Sequence, residues 1–166
     1  MARVQHSIDV NVPVSTVYNQ WTQFEEFPTF MEGVHAVYQL DDRRLRWEAE
    51  VGGHEKVWEA EIQEQVPDSK IIWRNIEGED NAGIVSFEPI DGGAGTRVHL
   101  EMSYSPEGFL ESVGDHLGFM SRRVEGDLKR FREFIEARGA ETGAYRKTLP
   151  NESVPGGFTS GAPARG

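Results

Sequence analysis

The spacing of apolar residues in this chain changes once, and that change limits what it can fold into. From residue 45 to residue 104 they recur at every second position. Leu45, Trp47, Ala49 and Val51 alternate with Arg44, Arg46, Glu48 and Glu50; Trp58, Ala60 and Ile62 alternate with Glu59, Glu61 and Gln63. Val98, Leu100, Met102 and Tyr104 do the same against Arg97, His99, Glu101 and Ser103. A period of two belongs to a strand with one dry and one wet face. Val34, Ala36, Tyr38 and Leu40 form a weaker run that places these four on one face. The stretches 70–77 and 83–90 are rich in β-branched and aromatic residues. Asp41-Asp42, Gly52-Gly53, Pro67-Asp68, the turn spanning Gly78 to Asn81, and Asp91 to Gly95 separate the runs. Connections this short join neighbouring strands as hairpins, so the strands form an antiparallel meander.

After residue 104 the period lengthens. Ser105-Pro106-Glu107 carries a helix-start signal: a capping hydroxyl, proline at the first helical position and an acid in the first turn. Leu117, Met120, Val124, Leu128, Phe131 and Ile135 then step by three or four residues and trace one helical stripe. The spacing predicts a long helix from about 112 to 138, stopped by Gly139. Ahead of the meander lie a strand near Val4 to Val12, a short helix after Pro13 carrying Val14, Val17, Tyr18 and Trp21, and a second short turn over Phe24 to Pro28. The expected class is α+β: a curved antiparallel sheet of seven strands wrapped around a long C-terminal helix, with two short helices after strand 1. Such a pairing leaves room between its layers, where apolar ligands sit.

Composition narrows the function. The chain has 166 residues, 17 Lys and Arg against 28 Asp and Glu, and a net charge of −11. That balance argues against gripping nucleic acid or docking on anionic lipid, both of which need dense cationic patches. With no cysteine there is no disulfide, thiol nucleophile or Cys-containing metal site. No apolar run approaches the roughly 18 residues of a membrane span, and the first residues lack a signal-peptide core. A cytoplasmic domain without stable membrane insertion is expected. From Gly139 onward the chain holds six Gly and three Pro with few large apolar residues. Residues 1–138 are therefore expected to form the domain, and 139–166 a disordered Gly/Pro-rich tail.

No catalytic signature stands out. The histidines at 6, 35, 54, 99 and 116 form no His-x-x-x-His pair, and no metal or cofactor is expected. Gly93-Ala94-Gly95-Thr96 lies between strands and lacks a following Gly-Lys-Ser/Thr, so it is not a phosphate loop. Ser86 has no flanking glycines to make a nucleophile elbow. Asp115-His116, at the expected start of the long helix, suits capping better than proton transfer. The aromatic residues say more. Trp47, Trp58 and Trp73 fall on successive strands, and with Phe30, Met31, Met102, Tyr104, Met120 and Val124 they would line the space between sheet and helix. Tryptophan and tyrosine carry polar tips, and methionine adapts to irregular shapes, which suits an apolar pocket with a few hydrogen-bonding groups.

Val12-Pro13-Val14-Ser15-Thr16-Val17-Tyr18 with Trp21, and then Phe24-Glu25-Glu26-Phe27-Pro28-Thr29-Phe30-Met31, resemble the opening of a known branch of proteins. Asn81-Ala82-Gly83 and the Gly-Asp-Leu-Lys-Arg-Phe run at 126–131 add to the likeness, which spans roughly residues 2–138. The branch is the polyketide cyclase/dehydrase and coenzyme-Q-binding group of the SRPBCC superfamily, the START or birch-pollen-allergen-like helix-grip domains. The resemblance implies a helix-grip fold on a frame that serves lipid carriers, aromatases, hormone receptors and ring hydroxylases alike. The leading expectation is binding or transport of a lipid, isoprenoid or polyketide. The alternative is an aromatase/cyclase folding a polyketide chain in the same pocket, with Tyr104, Asp115 and His116 as acid/base candidates. A protein partner on the charged helix face is a third reading.

Overall fold

In the computed structural model, which describes residues 2–78, 80–109 and 113–151, seven strands form one antiparallel sheet. In chain order they are β1 (Ala2–Val10), β2 (Val34–Gln39), β3 (Arg44–Val51), β4 (His54–Val66), β5 (Lys70–Glu77), β6 (Asn81–Ile90) and β7 (Gly95–Tyr104). Their order across the sheet is β1-β7-β6-β5-β4-β3-β2, so only the β1–β7 neighbours are distant in sequence. Helix α1 (Val14–Trp21) and a 3-10 turn (Phe24–Thr29) lie between β1 and β2, and α2 (Pro106–Phe109) follows β7. The long helix α3 (His116–Arg138) closes the concave face. This is the helix-grip α+β fold.

The period-two runs form strands with the expected faces. Leu45, Ala49, Val51, Trp58, Ala60, Ile62, Val98 and Leu100 are buried, while Arg44, Arg46 and Arg97 stay at the surface. Arg97 pairs with Asp9 across β1 and β7 at 2.8 Å, and His99 bonds to Ser7 and Gln5, so that face is wet. The first run is a correction. A register shift between Val34 and Ala36 breaks the β2–β3 ladder. Across that bulge Val34 and Val37 both turn toward the core, leaving Tyr38 and Leu40 47 % and 49 % exposed.

The stripe on α3 holds from Met120 onward, while Leu117, in the first turn, is 47 % exposed. Met120, Val124, Leu128, Phe131 and Ile135 are buried, and Gly139 ends the helix in the left-handed conformation with φ of 70°. The helix starts at His116 rather than at about 112; Asp115 caps it, its Oδ1 accepting from the Gly118 N–H at 3.0 Å.

The tail expected from Gly139 is corrected as far as Asn151. Leu149 is buried and exchanges two backbone hydrogen bonds with Gln65, at 2.9 and 2.8 Å. β4 runs past the first residue of β3, which pairs Arg44 with Glu61, so Gln65 would otherwise lie on an open edge. Side chains fasten the rest of the strap. Gln20 bonds to Thr142, Asn19 to Glu141, and Arg146 bridges Asn19 and Asp68. Composition misled here because this strap is held by polar groups of α1, Asn19 and Gln20, which burial would leave unpaired without it. The remainder, 152–166, lies outside the described residues.

Candidate functional site

Between the sheet and the first half of α3 lies a cavity of about 130 Å³. Its wall begins with two tryptophans. Trp47 on β3 and Trp58 on β4 are directly paired across the strands, and their rings stack 5.7 Å apart at 8°. Trp73 on β5 faces Gly83 on β6, whose other neighbour is Met102 on β7. A β-carbon at Gly83 would collide with the Trp73 ring, so the glycine is what lets that ring lie against the sheet. Met120, Val124 and Leu128 close the space from α3, Met31 from the loop before β2, and Phe24 and Phe27 from the 3-10 turn.

Polar atoms reach this wall at two places. On the sheet side, Asn81 Oδ1 and Trp47 Nε1 are buried without a hydrogen-bond partner. At the rim, α3 presents Arg123, Asp127 and Arg130 in one row. Arg123 donates from Nε and Nη2 to the Glu32 carbonyl at 2.9 and 2.7 Å, and from Nη2 to the Glu50 carbonyl at 2.7 Å. Asp127 Oδ1 accepts from the Glu32 N–H at 2.9 Å and from Arg130, which also donates to the Phe30 carbonyl at 2.8 Å. Gly33 permits this clasp: its φ is 78°, and the Arg123 guanidinium lies where a β-carbon would stand. Burial pushes the Asp127 carboxyl above the ordinary aspartate range, against the opposing pull of the Glu32 N–H and Arg130.

Of the residues expected to face a ligand, Met31, Trp47, Trp58, Trp73, Met102, Met120 and Val124 line the cavity, and Phe30 and Tyr104 do not. Phe30 is packed among Phe27, Phe131 and Phe134, with ring centroids 5.2–5.6 Å away. Tyr104 is buried at the end of β7, its hydroxyl 3.0 Å from His116 Nδ1, and burial raises its pKa, with the charge of Asp115 adding to the effect. Asp115, Tyr104 and His116 are thus brought together at the start of α3, away from the cavity wall. Sequence reasoning missed Asn81, Arg123 and Asp127. Asn81 was assigned to a turn but opens β6. Asp127 left a readable trace: it sits three residues after Val124 and four before Phe131, an acid on an otherwise apolar stripe. Among the described residues no group of three or more His, Asp or Glu could hold a metal ion, and no helix is long and apolar enough to cross a membrane.

A curled sheet gripping a helix around an apolar cavity defines a helix-grip domain. Residues 10–132 match the family described as polyketide cyclase / dehydrase and lipid transport, and the chain belongs to that family. It is 48 % identical over 147 residues to an uncharacterized 17.2 kDa protein from the melC2-rnhH intergenic region of Streptomyces lincolnensis, covering 88 % of this chain and 97 % of that one. Among solved structures it is similar to DR_A0006 of Deinococcus radiodurans, at 27 % identity and a TM-score of 0.67, covering 83 % of this chain and 99 % of that one. The Zhui aromatase/cyclase from Streptomyces sp. R1128 shares the fold at 15 % identity and a TM-score of 0.69, covering 87 % and 99 %. So does a START superfamily protein from Mycobacterium smegmatis, at 15 % and 0.64, covering 82 % and 95 %.

Proposed function

We propose that the chain binds and carries a hydrophobic small molecule in the cavity between the sheet and α3. The observation that carries this reading is the cavity wall itself: tryptophan, methionine and aliphatic side chains enclose about 130 Å³ in the middle of a helix-grip frame. A cavity of roughly 150 Å³ with an apolar lining takes up benzene, so this one matches a single ring, and a longer ligand would extend past the rim at Glu32 and Arg123. The family description, which includes lipid transport, agrees with this reading. Native mass spectrometry on protein purified without detergent from the organism that makes it tests the proposal. A defined adduct, released on denaturation and recovered by organic extraction, supports carriage of a lipid, isoprenoid or polyketide. A bare polypeptide mass together with no binding of ring-sized apolar probes contradicts it.

An aromatase/cyclase reading has one observation in its favour. Asp127 brings a carboxyl with a raised pKa to the cavity wall, which suits a group exchanging protons with an enclosed substrate. Under that reading Asp127→Asn keeps binding of a poly-β-ketone and loses its turnover. Under the carrier reading neither protein turns it over.

A further inference from the structure

The two unpartnered atoms of the cavity wall specify the ligand's polar groups. Trp47 Nε1 is a donor only, and Asn81 Oδ1 an acceptor only. Buried side-chain polar atoms nearly always have partners, because an unmade hydrogen bond keeps the full cost of desolvation. Of the buried side-chain atoms without such a partner among the described residues, these two fall on the lining of the same cavity. They also stand apart. β3 and β6 are separated by β4 and β5, three strand spacings of roughly 4.8 Å, so the two side chains reach the cavity from different strands rather than from one point. Two groups on the ligand, rather than one hydroxyl, are needed to serve both.

Charge gives the next constraint. The charged residues on the lining are Glu32, Arg123 and Asp127, all at the rim. The Arg123 guanidinium is committed to the Glu32 and Glu50 carbonyls, and Asp127 to Arg130 and the Glu32 N–H. Nothing deeper could compensate an ion, and an ion buried without a partner is far costlier than a neutral group. The stacked Trp47–Trp58 pair offers flat surface to a flat partner.

Building on the binding reading above, we infer that the cavity selects a neutral, ring-sized molecule carrying a carbonyl-type acceptor for the Trp47 N–H and a separate hydroxyl donor for Asn81 Oδ1. Hydroxyaryl ketones are the simplest compounds of that class.

Four probes of similar size separate the claims in a calorimetric or tryptophan-fluorescence titration: 4-hydroxyacetophenone, acetophenone, 4-ethylphenol and ethylbenzene. Each matched hydrogen bond is expected to tighten binding about tenfold, so 4-hydroxyacetophenone binds most tightly and ethylbenzene least. Trp47→Phe should erase the advantage of the acetyl group and spare that of the hydroxyl; Asn81→Leu should do the reverse. If the four probes bind alike, or if the ranking survives both substitutions, the inference is overturned while the cavity reading stands. If none binds, both fail. Should Asn81→Leu not fold, Trp47→Phe and the wild-type ranking still decide the acceptor end.

Discussion

The two halves of α3 cover the same sheet and do different things. Toward its C-terminus, Phe131 sits with its ring centroid 4.8 Å from Trp21 and 5.2 Å from Phe30, in edge-to-face contacts that continue through Phe27. Phe131 and Ile135 are 0 % exposed. Toward its N-terminus, Met120 and Val124 are also buried, yet they face a cavity rather than another ring. Both halves pack their buried residues over aromatic side chains from outside the helix. What separates them is closure: rings around Phe131 interlock, whereas Trp47 and Trp58 stack on each other and Trp73 lies on Gly83, so the space above them is left unfilled. Burial alone therefore does not distinguish a core from a pocket.

The sharpest way to break the comparison is to truncate one residue in each half. Phe131→Ala should cost about 4 kcal/mol of unfolding free energy, read by reversible chemical denaturation, because its neighbours interlock and cannot collapse onto the gap. Met120→Ala should cost about 2 kcal/mol, at the low end for a buried methionine, since Met120 already borders open space. The same change should enlarge the cavity and improve uptake of probes larger than a single ring. Equal losses at the two positions would mean that the N-terminal half is as tightly packed as the other.

Filling from the sheet side is gentler. Gly83→Ala should cost about 1 kcal/mol as Trp73 is pushed off the strand, and should weaken binding of ring-sized probes by moving that ring into the cavity. A variant with unchanged tryptophan fluorescence and unchanged binding would show that Trp73 does not depend on the glycine.

The smallest effect sharpens the account of the rim. Burial raises the Asp127 pKa, so the folded protein holds this proton more tightly than the unfolded chain. The associated stabilisation is complete below the unfolded-state pKa and is lost as pH rises through the folded-state one. Asp127→Asn removes that dependence. The stability of the variant relative to the parent should therefore increase as pH is raised through and just above the ordinary carboxylate range. Parallel pH profiles would place the Asp127 carboxyl in an environment no different from water.

Much of the frame was legible in the sequence, and the misreadings have separate physical causes. The period-two runs and the α3 stripe are local signals, and they gave strands and helix with their inner faces. At β2 the bulge between Val34 and Ala36 shifted the period, so Val37 rather than Tyr38 points inward. Trp47, Trp58, Met102 and Met120 of the wall could be read because inward-facing residues follow from the period-two runs and the α3 stripe. Phe30 and Tyr104 are inward-facing too, and only the tertiary packing, which closes rings around one and seats the other against His116, removes them from the wall. Asn81 was hidden because Gly78 to Asn81 has turn composition, although the last of these residues begins a strand. The strap over Gln65 was hidden because its partners lie 122 to 127 residues away on α1.

One measurement tests the central claim, that the hollow half takes up a small molecule. The chain has four methionines, and Met31, Met102 and Met120 line the cavity while Met1 lies outside the described residues. In protein carrying 13C-labelled methionine methyl groups, titration with 4-hydroxyacetophenone followed by NMR reports the cavity directly. The account predicts saturable shifts of the Met31, Met102 and Met120 methyls at one common affinity. Binding that leaves these three signals in place, or no binding at all, would contradict it.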